Sequence, residues 1–355
     1  MNKSFWNNKK VLITGNTGFK GSWLSRVLLG AGADICGYAL ENDCPKSIFN
    51  AIGLENAVDC HYGDICDEQR LGKIISQFRP EIVFHLAAQP IVRISYVTPL
   101  ETYRVNVMGT ATLLNCIRSA DSVRTVVNVT TDKVYANDDK TAFFSETDNL
   151  GGYDPYSSSK ACSELVTSAF VSSYFNPVEY GKSHKTAIAT ARAGNVIGGG
   201  DFAPDRLVPD CIRAVEQGSE VIIRNPEAIR PWQNVLEPLS LYITLAEKLY
   251  NDGTEYNGAW NVGPSAEDCV SVRNVIGKLQ EYLPKLKVKM GGDNSKLHEA
   301  SLLTLNSEKI KQRLGFKSRW NIDEAVKYTA LWYLYQLENK DMSEITDRII
   351  GEYFG

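Results

Sequence analysis

Tyr156 and Lys160 stand four residues apart in the run Tyr156-Ser157-Ser158-Ser159-Lys160. On a helix that spacing places both side chains on one face. A phenol is a weak base near neutrality because its ordinary pKa is about 10. A nearby ammonium stabilises the phenolate and lowers that value. Such a pair can take the proton of an alcohol while a hydride leaves the same carbon. Seen alone, the spacing also fits an ordinary pair on a helix surface. A second constellation precedes it: Thr130-Thr131-Asp132-Lys133-Val134-Tyr135. A hydroxyl at Thr131 can hold the reacting oxygen.

Near the N-terminus lies Gly15-Asn16-Thr17-Gly18-Phe19-Lys20-Gly21, a G-x-x-G-x-x-G spacing. Glycines at such a turn let backbone N–H groups approach a pyrophosphate at a helix N-terminus. Gly15, Thr17, Gly18, Phe19, Lys20 and Gly21 are therefore candidate contacts for a dinucleotide. A tight strand-to-helix turn without a ligand would use the same glycines. Dinucleotide sites carry an acidic residue near the end of the second strand to hold the adenosine ribose. Here that strand ends Gly37-Tyr38-Ala39-Leu40-Glu41. Ala39 occupies the expected place and Glu41 lies just beyond it. The absence of a nearby Arg to receive a 2′-phosphate favours NAD over NADP. Asp64 can accept from the adenine amino group, cap the next helix, or do both. Ile65 beside it, and Leu86, Ala87 and Ala88 further on, join the cofactor candidates.

These groups need a scaffold. Short β-rich runs at 10–14, 34–40, 57–62, 81–86, 124–129 and 186–192 alternate with helical patterns at 18–29, 67–78, 99–119 and 154–174. Alternating βα units imply a parallel sheet with helices on both faces. Right-handed crossovers make the sheet doubly wound, with its ligand crevice at the carboxyl ends of the strands. The glycine run, Thr131 and the Tyr156 helix all fall at those ends. The fold expected is therefore α/β of the Rossmann type: residues 1–192 form the dinucleotide-binding domain, with later segments crossing back. After Arg192 the prolines at 204, 209, 226, 231, 238 and 264 break the pattern. Residues 193–355 are expected to form a smaller, irregular substrate-binding lobe and C-terminal helices. Asn321 with Glu324 matches a capping box.

Composition narrows the function. The chain has 355 residues, with 38 Lys+Arg against 42 Asp+Glu, a net charge of −4. That balance argues against a dedicated nucleic-acid or anionic-membrane binder. No apolar run approaches the ~20 residues of a spanning helix, and no secretory signal is evident. Eight cysteines without a C-x-x-C pair read as reduced thiols in a cytoplasm. Four histidines without H-x-x-x-H spacing argue against a zinc site.

Taken together, TGNTGFKG (14–21), HLAAQ (85–89), NVMGT (106–110), Thr131 and YSSSK (156–160) make the chain resemble the extended short-chain dehydrogenase/reductase family over nearly its whole length. QPIVRISY (89–96), TTDKVY (130–135), ARAGNVIGGGDF (191–202), RPWQNVLEPL (230–239) and HEA (298–300) narrow the resemblance to the nucleotide-sugar 4,6-dehydratases that act on CDP-glucose. The resemblance implies NAD as an internal redox cofactor, a CDP-glucose substrate, and deoxysugar supply for lipopolysaccharide O-antigen. It assigns Thr131, Tyr156 and Lys160 to the oxidation, and Asp132 to protonation of the 6-hydroxyl. Relatives acting on dTDP-glucose carry Asp-Glu where this chain has Asp132-Lys133. Lys133 is therefore either the base at C5 or a charged partner of the enolate. As an isolated feature, Asp132-Lys133 would read as an exposed turn ion pair. The same resemblance brings Asn195 to the substrate. Arg206 and Arg230 are candidates for its pyrophosphate or ribose, and otherwise for surface salt bridges. Gln89 and Arg93 are candidates for the hexose, and His298 for the same region. Asn106 is expected to bridge helix and strand backbone. Helices 99–119 and 154–174 would pair into a homodimer or homotetramer, or serve only the internal core. A nucleotide-sugar 4-epimerase and a non-catalytic NAD-sensing protein are the competing readings. Neither needs an acid after Thr131.

Overall fold

The computed structural model describes residues 1–137, 143–291 and 304–355. Seven parallel strands form one sheet: β1 (Lys10–Thr14), β2 (Asp34–Ala39), β3 (Asp59–Tyr62), β4 (Ile82–His85), β5 (Thr125–Thr130), β6 (Ala187–Ala193) and β7 (Gly258–Val262). Their spatial order is β7-β6-β5-β4-β1-β2-β3. The order reverses direction between β1 and β4, and a doubly wound sheet opens a crevice at such a point.

The central strands read as near-continuous apolar runs because helices cover both faces. Side chains alternate between two cores along each strand. Leu12, Val83, Val126 and Ile188 face α2 (Glu68–Phe78) and α3 (Gly109–Arg118), through Leu71, Ile74, Leu113 and Ile117. Val11, Ile13, Phe84 and Val127 face the opposite core, with Trp23 and Leu24 of α1 (Phe19–Leu29) and Leu241 of α5 (Leu236–Asp252). The catalytic-helix candidate is α4 (Pro155–Tyr174), started by Asp154, whose carboxylate accepts from Ser157 N–H at 3.0 Å. A C-terminal helix, α6 (Ile322–Leu337), begins with the expected capping box: Asn321 and Glu324 each accept the other's backbone N–H at 3.0 Å.

Two departures from the expected pattern bear on the site. The helix expected over 99–119 is interrupted by a π turn, Arg104–Met108, between Pro99–Tyr103 and Gly109–Arg118. Such turns concentrate at functional sites. This one carries Asn106, whose side chain accepts from Gln89 N–H at 2.9 Å and donates to Gln89 O at 3.1 Å and Ser159 Oγ at 2.9 Å. It ties the segment after β4 to α4. The second departure is β7, an unexpected strand that pairs in parallel with β6 from Gly258↔Ala189 to Val262↔Ala193. It is short, starts on Gly258 at φ +99° and follows an irregular stretch. The rest of the later chain contributes three small two-stranded pairs: Val196–Ile197 with Gln233–Asn234, Ile229–Pro231 with Cys269–Ser271, and Glu220–Ile223 with Lys287–Met290. Among the described residues no helix is long and apolar enough to cross a membrane.

His85 ends β4 beside the switch point. Its Nδ1 lies 2.7 Å from Thr14 Oγ1 and its Nε2 3.2 Å from Thr110 Oγ1. Burial, with Lys160 adding to it, pushes its pKa down from 6.5 to about 3. Below pH 6.5 the unfolded chain therefore binds a proton that the folded chain refuses. Stability falls as pH drops through that window, by up to about 5 kcal/mol once pH 3 is reached. Urea unfolding of His85→Gln between pH 7 and pH 4 should show a shallower acid slope than wild type. Equal slopes would remove His85 as the cause.

Candidate active site

A cleft of about 1130 Å³ opens across the carboxyl ends of the strands. At one end lies the glycine turn. Gly15 has φ +75°, and a Cβ there would sit 2.8 Å from Ala87 N. A Cβ on Gly21 would sit 2.1 Å from Gly15 O, so the turn closes only with glycine at both places. Gly18 caps α1 without a side-chain hydrogen bond. The first N–H groups of a helix need partners, and the helix dipole favours an anion there. Gly15, Thr17, Gly18, Phe19, Lys20 and Gly21 all line this end, with Asp64, Ile65, Leu86, Ala87 and Ala88.

The adenosine end differs in detail from expectation. Ala39, Leu40 and Asn42 line it, and Glu41 is absent from the lining. Asp64 does not cap the following helix. Asp67 does so, accepting from Arg70 N–H at 3.0 Å. Asp64 instead accepts from Arg104 at 2.7 Å and from Cys66 N–H at 2.8 Å, and the Arg104 bond holds its carboxyl below the usual range.

Thr131 follows β5 directly and starts a one-turn helix, Asp132–Val134. Its hydroxyl donates to Asp132 Oδ1 at 3.0 Å and accepts from Lys133 N–H at 3.4 Å. Asp132 is only 1% exposed, and its Oδ2 has no hydrogen-bond partner among the described residues. That oxygen lies against Gly194: a Cβ there would approach it to 1.8 Å. An exposed turn ion pair of Asp132 with Lys133 is thereby excluded. Lys133 is half-buried and lines the cleft.

Tyr156 and Lys160 lie one turn apart on α4, both buried, both lining the cleft. Thr131 and Tyr156 both line the cleft. Burial raises the phenol to about 12, and Asp132 adds to the rise; Thr131 and Arg206 oppose it. This corrects the expectation that Lys160 pulls the phenol down. The Lys160 ammonium donates to Val129 O at 3.1 Å. Burial depresses Lys160 itself to about 8, against the pull of Glu164 one turn along. Glu164 is engaged below the site by Arg192 at 3.0 Å on both oxygens, and by Thr190. Both members of that ion pair are 4% exposed.

The substrate candidates divide. Asn195, Arg93, Arg206 and Arg230 line the cleft. Asn195 takes φ +41°, a strained value for a non-glycine residue and one that clusters at functional sites. Arg206 is held by Asp201 at 2.6 Å. Arg93 lies 3.8 Å from Asp205. Arg230 is 9% exposed and donates to Ile229 O. Gln89 is not among the lining residues: its amide donates to Thr102 Oγ1 at 2.9 Å and its carbonyl accepts from Ile91 N–H. His298 lies outside the described residues.

Lys20, a candidate from the glycine turn, leads to a buried neighbour that had no signal in the sequence, Tyr242. The Lys20 side chain shares the site with Asp132, Arg206 and Lys160, its Nζ 5.9 Å from the ring centroid of Tyr242. Burial, followed by Arg206, depresses that ammonium to about 7. Tyr242 comes from α5, more than sixty residues beyond the end of α4, and its buried hydroxyl has no hydrogen-bond partner among the described residues. Only the folded chain brings α1 and α5 together here.

The depressed Lys160 makes a test of the electrostatics. Below pH 8 both states carry the proton and the cost of burying the charge is constant. Between pH 8 and 10.5 the unfolded chain binds more protons, so stability rises with pH. Lys160→Met should be the more stable protein at pH 7, by up to about 3 kcal/mol. That advantage should shrink above pH 8. Chemical denaturation at pH 7 and pH 9.5 measures it, and a constant difference would contradict the assignment.

A family model described as GDP-mannose 4,6 dehydratase matches residues 12–329. CDP-glucose 4,6-dehydratase of Salmonella typhimurium is 45% identical over 354 residues, covering 99% of this chain and 98% of that protein. dTDP-glucose 4,6-dehydratase 1 of Escherichia coli is 27% identical, covering 92% of each. Among solved structures, a dTDP-glucose 4,6-dehydratase from Streptomyces venezuelae shares the fold with a TM-score of 0.77 at 24% identity, over 94% of this chain and 99% of that one. UDP-glucose 4-epimerase from Brucella ovis does so with a TM-score of 0.77 at 20% identity, over 92% and 98%. The chain belongs to the GDP-mannose 4,6 dehydratase family, within the extended short-chain dehydrogenase/reductases.

Proposed function

We propose that this chain is an NAD-dependent CDP-glucose 4,6-dehydratase, a hydro-lyase forming CDP-4-keto-6-deoxyglucose. The observation that carries the reading is the meeting of Thr131, Asp132, Tyr156 and Lys160 in one cleft with the uncapped start of α1. The 45% identity to a full-length relative of that name supports the substrate. The glycine turn and the exposed first turn of α1 suit a dinucleotide pyrophosphate. Between Ala39 and Ser47 the lining residues are Ala39, Leu40, Asn42, Cys44 and Ser47, none of them a cation for a 2′-phosphate. That supports NAD over NADP. When bound, NAD supplies the hydride acceptor for C4 and the donor for C6.

The residues divide the remaining work. Tyr156 takes the C4 hydroxyl proton while Thr131 holds the oxygen. The C4 ketone acidifies C5–H. Lys133 either removes that proton or, kept charged, balances the enolate. Asp132 gives a proton to O6, the C6–O6 bond breaks, and water leaves. Asn195, Arg206, Arg230 and Arg93 hold the sugar nucleotide, Arg through bidentate contacts to phosphate. The product class would feed O-antigen deoxysugars from the cytoplasm. Self-association uses helices 99–119 and 154–174, where Leu100 is 84% exposed and Leu165 57%; Leu100→Glu should sediment as a monomer if that face pairs.

Incubation with CDP-glucose and NAD, then alkali, should develop the ultraviolet absorbance of a 4-keto-6-deoxy sugar. No signal with any hexose nucleotide would overturn the reading, and a change at C4 without loss of water would indicate an epimerase. Tyr156→Phe should abolish transient NADH. Asp132→Asn should still oxidise C4 but lose water about 10²–10⁴-fold more slowly. Exchange of the C5 proton with deuterium decides Lys133: unchanged exchange in Lys133→Met removes it as the base.

A further inference from the structure

Asp132 and Lys133 ride on a single helical turn, Asp132–Val134. One turn fixes several torsions for little hydrogen bonding, so it does not hold itself in place. Among the described residues the Asp132 carboxylate is bonded only to the neighbouring Thr131 hydroxyl, and its Oδ2 has no partner. The residues on either side are the anchored ones. Thr130, just before Thr131, donates its hydroxyl to Glu164 Oε1 on α4. Tyr135, just after Val134, accepts from Arg192 Nη1 of β6 at 2.8 Å and donates to Asn261 Oδ1 of β7 at 2.6 Å. Glu164 and Arg192 are the two halves of one buried ion pair. The same pair therefore grips the turn at both ends.

The Tyr135 end of the grip is the more elaborate. Tyr135 and Asn261 are both buried, and Phe144 stacks on the Tyr135 ring with centroids 4.9 Å apart. The hydroxyl gives its one proton to Asn261 and a lone pair to Arg192, so both of its bonds point in fixed directions. Asn261 is fixed in turn: its amide donates to Phe144 O at 2.8 Å and its N–H to Glu146 Oε1 at 2.8 Å. The two ends serve different chemistry. Thr131 follows directly on β5, where the sheet holds it, and Lys160 is held by Val129 O. Asp132 and Lys133 lie nearer the Tyr135 end, beyond the last residue of the strand.

We propose that Tyr135, held by the Glu164–Arg192 pair, is a positioning residue for the loss of water: it fixes the Asp132–Val134 turn so that the Asp132 carboxyl and the Lys133 side chain meet the sugar at C5 and C6. Its hydroxyl acts through the turn and takes no proton from the substrate. The oxidation at C4, which uses Tyr156, Lys160 and Thr131, does not depend on it. This inference rests on the dehydratase reading and adds to it a residue outside the reacting set.

The test separates the steps in a single turnover of CDP-glucose. NADH appears as C4 is oxidised and disappears when hydride returns to C6, which must await the departure of water. Tyr135→Phe keeps the ring, and Arg192 Nη1 keeps Glu146 O at 3.3 Å. The backbone bonds from Gly151 N–H to Val134 O and from Ala136 N–H to Asn149 O also remain. NADH should form at the wild-type rate in this variant and disappear about 10- to 10²-fold more slowly. Arg192→Lys keeps a charge for Glu164 but loses the fork that also reaches Tyr135, and should show the same selective delay. The two changes combined should delay no more than either alone. If one variant fails to fold, the other decides. Wild-type NADH decay in Tyr135→Phe overturns the inference, and so does an equal slowing of rise and decay, complete loss of NADH included. A delay in Tyr135→Phe with normal decay in Arg192→Lys removes the ion pair as the support. A wild-type protein inert towards CDP-glucose would instead refute the dehydratase reading itself, and the inference with it.

Discussion

The reversal of strand order between β1 and β4 is the constraint from which the site follows. Helices leave β1 and β4 towards opposite faces, so the sheet cannot close over its own carboxyl edge there. Everything with chemical potential gathers on that edge: the glycine turn after β1, Leu86 to Ala88 after β4, Thr131 after β5 and Asn195 after β6. The helices behind the sheet then set angles. Asn106 on the π turn fixes the loop after β4 against α4, and so fixes the distance between the two halves of the cleft.

Desolvation governs the charges that gather there. Two ammoniums, Lys20 and Lys160, are depressed chiefly by burial, and the Tyr156 phenol is raised chiefly by burial. Each shift favours the neutral form, as removal from water requires. The Glu164–Arg192 pair under α4 is the compensating element: it keeps one carboxylate near Lys160 while satisfying it with Arg192 and Thr190. An entering anion meets a cleft with more cationic than anionic groups close at hand, and its charge favours the protonated lysines.

Much of this was readable from residue order, because βα alternation and glycine spacing are local signals. The runs KVLIT (10–14) and RTVVNV (124–129) read as buried strands, and Asp154-Pro155 announces a helix start. What stayed hidden depends on contacts between distant segments. β7 carries few of the marks of a strand; it exists because β6 offers it a free edge. Gln89 sits beside the cleft in sequence, yet Thr102 claims its amide. Asp64 and Asp67 are equally good caps on paper, and Arg104, forty residues on, decides between them. Lys20 belongs by sequence to the phosphate turn, and only the packing of α1 against α5 shows that its side chain reaches Tyr242. Tyr156 and Lys160 were found by spacing, but spacing could not show that Val129 O would engage the ammonium.

The fit of Gly194 over Asp132 carries a stereochemical consequence. With 1.8 Å between Oδ2 and the place of a Cβ, any side chain at position 194 would collide with the carboxyl. The space beside β6 that a larger residue would fill is the space the Asp132 carboxylate occupies. The position of that carboxylate in the cleft is therefore tied to a residue on another strand that contributes no side chain of its own.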